Sequence, residues 1–101
     1  MTTVPARPGE TIFRTMDMSA LAEIATGGMT IIGTPTFEVL GPIGVTQPVC
    51  STPTIVNAGT AVKFNIVIPE VVAVFLIRVI CAMSDNITIL KGDGILSVND
   101  N

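Results

Sequence analysis

Residues 61–83 read AVKFNIVIPEVVAVFLIRVICAM, and this stretch decides the fold class. Over residues 61–68, Val62, Phe64, Ile66 and Ile68 alternate with Lys63 and Asn65. A period of two places one side of an extended strand in a core and the other against solvent or a partner. Pro69-Glu70 breaks the run, because proline has no N–H to give to a ladder. Residues 71–83 are then apolar at nearly every position. In a strand, Val72, Val74, Leu76, Arg78 and Ile80 share one face, while Val71, Ala73, Phe75, Ile77, Val79 and Cys81 share the other. A strand apolar on both faces is buried on both, whereas a central strand in a small two-layer domain has only one face on the core. The surplus face predicts contact with another copy of the chain. Cover by a short helix or by the N-terminal segment is the alternative within one chain.

The flanking sequence continues the strand pattern. Asn57-Ala58-Gly59 is a turn signal between residues 54–56 and the alternating run. Ser84-Asp85-Asn86 reads as a turn, residues 87–90 as a strand, Lys91-Gly92-Asp93-Gly94 as a hairpin turn and residues 95–98 as a last strand. Upstream, residues 29–32 and 36–40 flank a turn-like Gly33-Thr34-Pro35. Residues 41–53 hold two glycines and three prolines, so they read as a loop with at most a short edge strand at Val45 or at Val49-Cys50. Residues 17–28 are the one helical candidate, with Asp17 as N-cap, Met18, Leu21, Ala22 and Ala25 at helical spacing, and Gly27-Gly28 as the stop. Residues 10–15 form a short strand, and residues 1–9, with Pro5 and Pro8, an extended leader.

The expectation is therefore an all-β chain, an antiparallel β-sandwich or jelly roll of about seven or eight short strands. Residues 1–15 are an extended N-terminal leader and candidate donated strand, and residues 16–101 a single domain with at most one short helix.

Composition excludes several functions. The chain has 101 residues, 49% of them hydrophobic and 13% charged, a net charge of −3, four phenylalanines and no His, Tyr or Trp. Ordinary domains carry roughly 25% charged residues. Val, Ile and Thr make up more than a third of the chain, which favours strands. The basic residues Arg7, Arg14, Lys63, Arg78 and Lys91 are scattered singly, which argues against nucleic acid as a partner. Residues 66–83 contain Pro69, Glu70 and Arg78, and their uninterrupted apolar part, residues 71–77, is far shorter than the about 20 residues of a spanning helix, so no membrane span is expected. Residues 1–10 lack the apolar core of a signal peptide.

No catalytic residues are expected. With no His, the serines Ser19, Ser51, Ser84 and Ser97 have no imidazole base. Neither Lys63 nor Lys91 stands in a Ser-Lys motif, and neither cysteine has an identifiable base. Gly92-Asp93-Gly94 lacks the spacing of a phosphate loop, and Asp85, Asp93 and Asp100 do not make a calcium loop. No cofactor, metal or small-molecule substrate is inferred. Asn86-Ile87-Thr88 matches a glycosylation triplet but reads as the turn that starts a strand. Arg78, alone in the most apolar strand, needs a carboxylate: Glu70, Glu38 or one from another subunit. Cys50 and Cys81 are candidates for a disulfide, within the chain or between copies, with two free buried thiols as the alternative.

In size, Thr/Val/Ile-rich strands, extended leader, absent signal peptide and two cysteines, the chain resembles the jelly-roll subunits of Gram-positive endospore appendages and similar pili built by strand donation. It departs from them in having no cysteine cluster in the leader. Viral capsid and tail proteins share the same general look. The resemblance implies a non-enzymatic structural subunit that self-assembles into an extracellular filament at a cell or spore surface. Its leader residues Val4, Ile12 and Phe13 would be donated, and Val72, Val74, Phe75, Leu76 and Arg78 would form the receiving core. The competing expectation is a small non-catalytic β-sandwich binding module, or a viral or spore coat protein.

Overall fold

The computed structural model describes residues 2–100. Among them are seven strands, one short α-helix and a 3-10 turn at Asn57–Gly59: β1 (Thr2–Ala6), β2 (Thr11–Asp17), α1 (Ala22–Ala25), β3 (Ile31–Leu40), β4 (Val49–Val56), β5 (Ala61–Val67), β6 (Ala73–Met83) and β7 (Ile89–Val98). They form a four-stranded sheet in the order β1-β7-β6-β3 and a three-stranded sheet in the order β2-β5-β4. The ladders are antiparallel except β1 on β7, which is parallel. The all-β expectation holds.

One core joins the sheets. Val62, Phe64 and Ile66 of β5 point into it from one side, and Phe75, Ile77, Val79, Cys81 and Met83 of β6 from the other, with Leu96 and Val98 of β7. Phe64 meets Phe37 of β3 with ring centroids 5.0 Å apart at a tilt of 48°. These are the core-facing positions that the period of two selects in residues 61–83.

Several local expectations are corrected. Lys91-Gly92-Asp93-Gly94 is no hairpin turn: β7 runs through it, and Arg78, Val79 and Ile80 stand opposite Asp93, Gly92 and Lys91. Tight hairpins need left-handed backbone, and neither glycine has a positive φ. Gly92 instead marks close approach, since a Cβ there would lie 2.6 Å from Met16 Sδ and 2.7 Å from Met18 Cε. Gly33-Thr34-Pro35 likewise lies inside β3, as a register shift between Ile32 and Thr36. Residues 49–53 extend β4 well beyond a short edge strand, with a second register shift between Ser51 and Thr54 that absorbs Pro53 at the sheet edge.

The helix shrinks to four residues. Asp17 ends β2 and accepts a hydrogen bond from Ser19 N–H at 2.9 Å, while the helix N-cap is Leu21, without a side-chain bond. So short a helix is held by packing, through buried Ile24.

The N-terminal segment divides between the sheets. β1 lies along β7 of its own chain, Thr3 opposite Ile95 and Pro5 opposite Ser97, and β2 joins the other sheet against β5. Residues 7–10 make the crossing. Arg7 N–H donates to Glu10 Oε1 at 3.0 Å, and Gly9 N–H to the Pro69 carbonyl at 3.2 Å. Gly9 has φ +76°, a backbone that favours glycine, and lies against the Glu70 carboxylate, which would have to shift for a Cβ.

Candidate assembly surface

β6 is the middle of its sheet, and its two faces differ in fate. Phe75 is 1% exposed and the alternate residues through Met83 are also buried, whereas Val74 is 57% exposed and Leu76, Arg78 and Ile80 are half-buried. Register extends this outer face sideways: Leu76 lies between Leu40 and Ile95, Arg78 between Glu38 and Asp93, and Ile80 between Thr36 and Lys91. Leu40 and Ile89 at its borders are 48% and 55% exposed. Neither in-chain cover operates, because α1 sends Ile24 into the core and β1 adds to the edge of the sheet rather than over it. The result is a largely apolar sheet face crossed by the Glu38–Arg78–Asp93 row of charge, with Lys91 exposed in the next row.

That row is closed on itself. Arg78 Nε–H donates to Asp93 Oδ1 at 2.8 Å and Nη2–H to Oδ2 at 3.2 Å, and Nη1 lies 3.7 Å from Glu38 Oε1. The guanidinium holds the Asp93 carboxyl below the usual carboxylate range, and the same bonds raise Arg78 further. Of the carboxylates expected for Arg78, Glu38 is present as the weaker partner and Glu70 is at the residues 7–10 crossing instead. Asp93 carries the main bond. It was hidden from sequence reasoning because a Gly-Asp-Gly triplet reads as a turn.

The other predicted assembly residues separate. Val72 and Val74 are exposed and Leu76 lies on the outer face, but Phe75 belongs to the chain's own core. Val4 and Ile12 pack against the core from β1 and β2, while Phe13 is 65% exposed.

Cys50 and Cys81 are both free thiols, so no intrachain disulfide forms. They lie on different sheets, Cys50 on β4 and Cys81 on β6, where Cys81 Sγ–H points at Met18 Sδ, 3.9 Å away. Burial pushes the Cys50 thiol up to about 11 and raises Cys81 too. Both therefore stay protonated at neutral pH, and neither is an activated nucleophile.

A cavity of about 290 Å³ lies between β1 and β2, lined by Val4, Met16, Phe64, Ile66, Ile77 and Leu96, with Arg14 among its polar neighbours. Nothing in the sequence signals it, because its walls come from five strands. Among the described residues no helix is long and apolar enough to cross a membrane. Comparison with protein families and with curated proteins found no match.

Proposed function

We propose that this chain is a structural subunit whose copies associate into an extracellular filament or surface appendage, with strand addition between subunits as the joint. The observation that carries the reading is the open outer face of β3, β6 and β7. Val74, Leu40 and Ile89 stand exposed on it beside half-buried Leu76, Ile80 and Ile95, and the Glu38–Arg78–Asp93 row that crosses it is internally paired, with Lys91 beside it. Contiguous apolar faces of this kind mark interaction sites. The pairing of Arg78 with Asp93 and Glu38, and the Lys91 charge beside Asp93, reduce the charge that opposes its burial.

The strand order supports a two-sheet sandwich. β2-β5-β4 against β7-β6-β3 is the connectivity of seven-stranded Greek-key sandwiches of the immunoglobulin kind rather than an eight-stranded jelly roll, with β1 placed on the β7 edge. Such a scaffold serves many functions, so function lies in its surface rather than in the fold.

β1 is the natural donated element. Its parallel ladder on β7 would be the same if the strand came from a neighbouring copy, with residues 7–10 as the hinge. Repeating that head-to-tail contact builds a fibre when its rotation does not close. The assembly needs no disulfide. This agrees with the resemblance to strand-donated appendage subunits in architecture, while setting aside their covalent linking.

Sedimentation and negative-stain microscopy of the purified chain test the reading. Regular fibres are expected, and a discrete monomer or dimer at all concentrations overturns it. Deletion of residues 1–10 isolates the mechanism, since fibres that survive it exclude β1 exchange. A small binding module is the second reading, favoured by the cavity between β1 and β2; a discrete species that takes up an apolar ligand there would establish it.

A further inference from the structure

The two sheets have four edge strands, β1 and β3 in one and β2 and β4 in the other. Edges invite unwanted pairing and are normally blunted by proline, bulges or inward charges. β1 carries Pro5. β3 carries Pro35 and a register shift, and β4 carries Pro53, a register shift and Thr52 at φ 54°. β2 has neither proline nor bulge: Thr11 to Asp17 pair with Val67 to Ala61 without interruption.

The backbone of β2 shows which groups are free to pair. The Glu10 carbonyl accepts Ile68 N–H at 2.8 Å and Met18 N–H donates to the Thr60 carbonyl at 2.9 Å. Backbone groups alternate sides along an antiparallel strand, so the even-numbered residues bond toward β5. Thr11, Phe13 and Thr15 turn their N–H and C=O groups to the open side.

The side chains narrow the choice of partner. Ile12, Arg14 and Met16 stand opposite Ile66, Phe64 and Val62, all buried, so all three lie on the inner face of the sheet. Arg14 there lines the cavity between β1 and β2. An inward-facing cation rejects an added strand unless that strand brings a carboxylate to the same place. The chain supplies one itself. In Glu10-Thr11-Ile12-Phe13-Arg14, a copy laid antiparallel about Ile12 sets Glu10 of each chain opposite Arg14 of the other, with Ile12 against Ile12 and Thr11 against Phe13.

We propose that the open edge of β2 pairs antiparallel with β2 of a second copy, about a two-fold axis at Ile12, joining two three-stranded sheets into one of six strands. Two reciprocal Glu10–Arg14 pairs set the register, and the Thr11 and Phe13 backbones exchange the hydrogen bonds. Centring the contact on Arg14 would oppose two guanidiniums, and centring it on Phe13 would shift each Glu10 away from its Arg14. The contact deepens the self-assembly reading and rests on it. Being two-fold it closes, so it pairs subunits or strands of a fibre while propagation lies elsewhere.

Cross-linking and charge exchange test it together. In a Cys50→Ser background, Ile12→Cys is expected to form a covalent dimer under mild oxidation, because facing residues of a non-hydrogen-bonded antiparallel pair have Cα atoms about 4.5 Å apart, within disulfide reach. Phe13→Cys should not do so. Arg14→Glu alone should weaken the dimer roughly thirtyfold, and Glu10→Arg with Arg14→Glu should restore it. Melting curves establish that each variant is folded, and the charge variants report on the contact even where Ile12→Cys destabilises the chain. A cross-link at position 13 instead of 12, or a double exchange no better than the single, overturns the proposal. If fibres form while position 12 neither cross-links nor responds to charge, this contact falls and the structural function stands. If the protein is monomeric throughout, both fall.

Discussion

Arg78 shows how a single residue can be right in kind and wrong in partner. A lone guanidinium in an apolar strand demands a carboxylate, and Glu38 was a legible choice because it sits in a predicted strand. Asp93 was not, because its two flanking glycines read as a turn. The bidentate bond to Asp93 at 2.8 and 3.2 Å makes a pH prediction. Asp93 titrates lower folded than unfolded. Its contribution is therefore complete above the ordinary carboxylate pKa of about 3.9 and is lost as pH falls through the lower folded value. Asp93→Asn should lower the melting temperature at neutral pH by at most about 5 °C, because the pair is partly exposed. The gap between wild type and variant should close in melts carried below about pH 3. A gap that widens in acid would contradict the pairing. Thiol chemistry adds a second test at this scale. With its thiol pushed up to about 11, Cys50 should react with a disulfide reagent about tenfold faster per pH unit between pH 7 and 10, and Cys81 should react only on unfolding.

The strands differ in how plainly they declare themselves. β5 was legible because one face is core and the other polar, and β6 because it is apolar at nearly every position on both faces. Gly92, Gly33 and Pro53 give β7, β3 and β4 the local look of turns or loops, since a glycine that turns the chain and one that admits a neighbour are alike in local sequence. Gly92 admits Met16 and Met18 from across the core. The parallel pairing of β1 with β7 joins opposite ends of the chain and leaves no periodic trace. The two faces of β6 give the prediction that belongs here. Phe75→Ala should cost about 3–5 kcal/mol of folding stability, as for a buried phenylalanine. Val74→Ala, one residue away and exposed, should change folding by no more than about 0.5 kcal/mol while weakening association. Denaturant melts and sedimentation separate the two effects. Equal losses of folding stability from both would mean that the outer face of β6 is packed within the monomer.

For the molecule as a whole, the low charge content of 13% has a structural location. β6 is 11 residues long, roughly 36 Å at about 3.3 Å per residue, close to the 41 Å long axis of the molecule. Its outer face carries Arg78 as its one ionisable group, and that group is paired. If this face drives association, the free energy comes from removing apolar surface from water, which weakens on cooling and strengthens in sulfate. The β2 contact differs, because its register depends on exposed charge pairs that salt screens. Assembly should therefore have a critical concentration that rises between 25 and 4 °C and falls on adding sulfate, whereas the dimer held by Glu10 and Arg14 should weaken with sodium chloride. Light scattering across temperature and the two salts resolves the two contacts in one preparation. Assembly that dissolves in moderate sodium chloride and is indifferent to cooling would assign the driving force to charge, and the outer face of β6 would lose its claim to be the subunit interface.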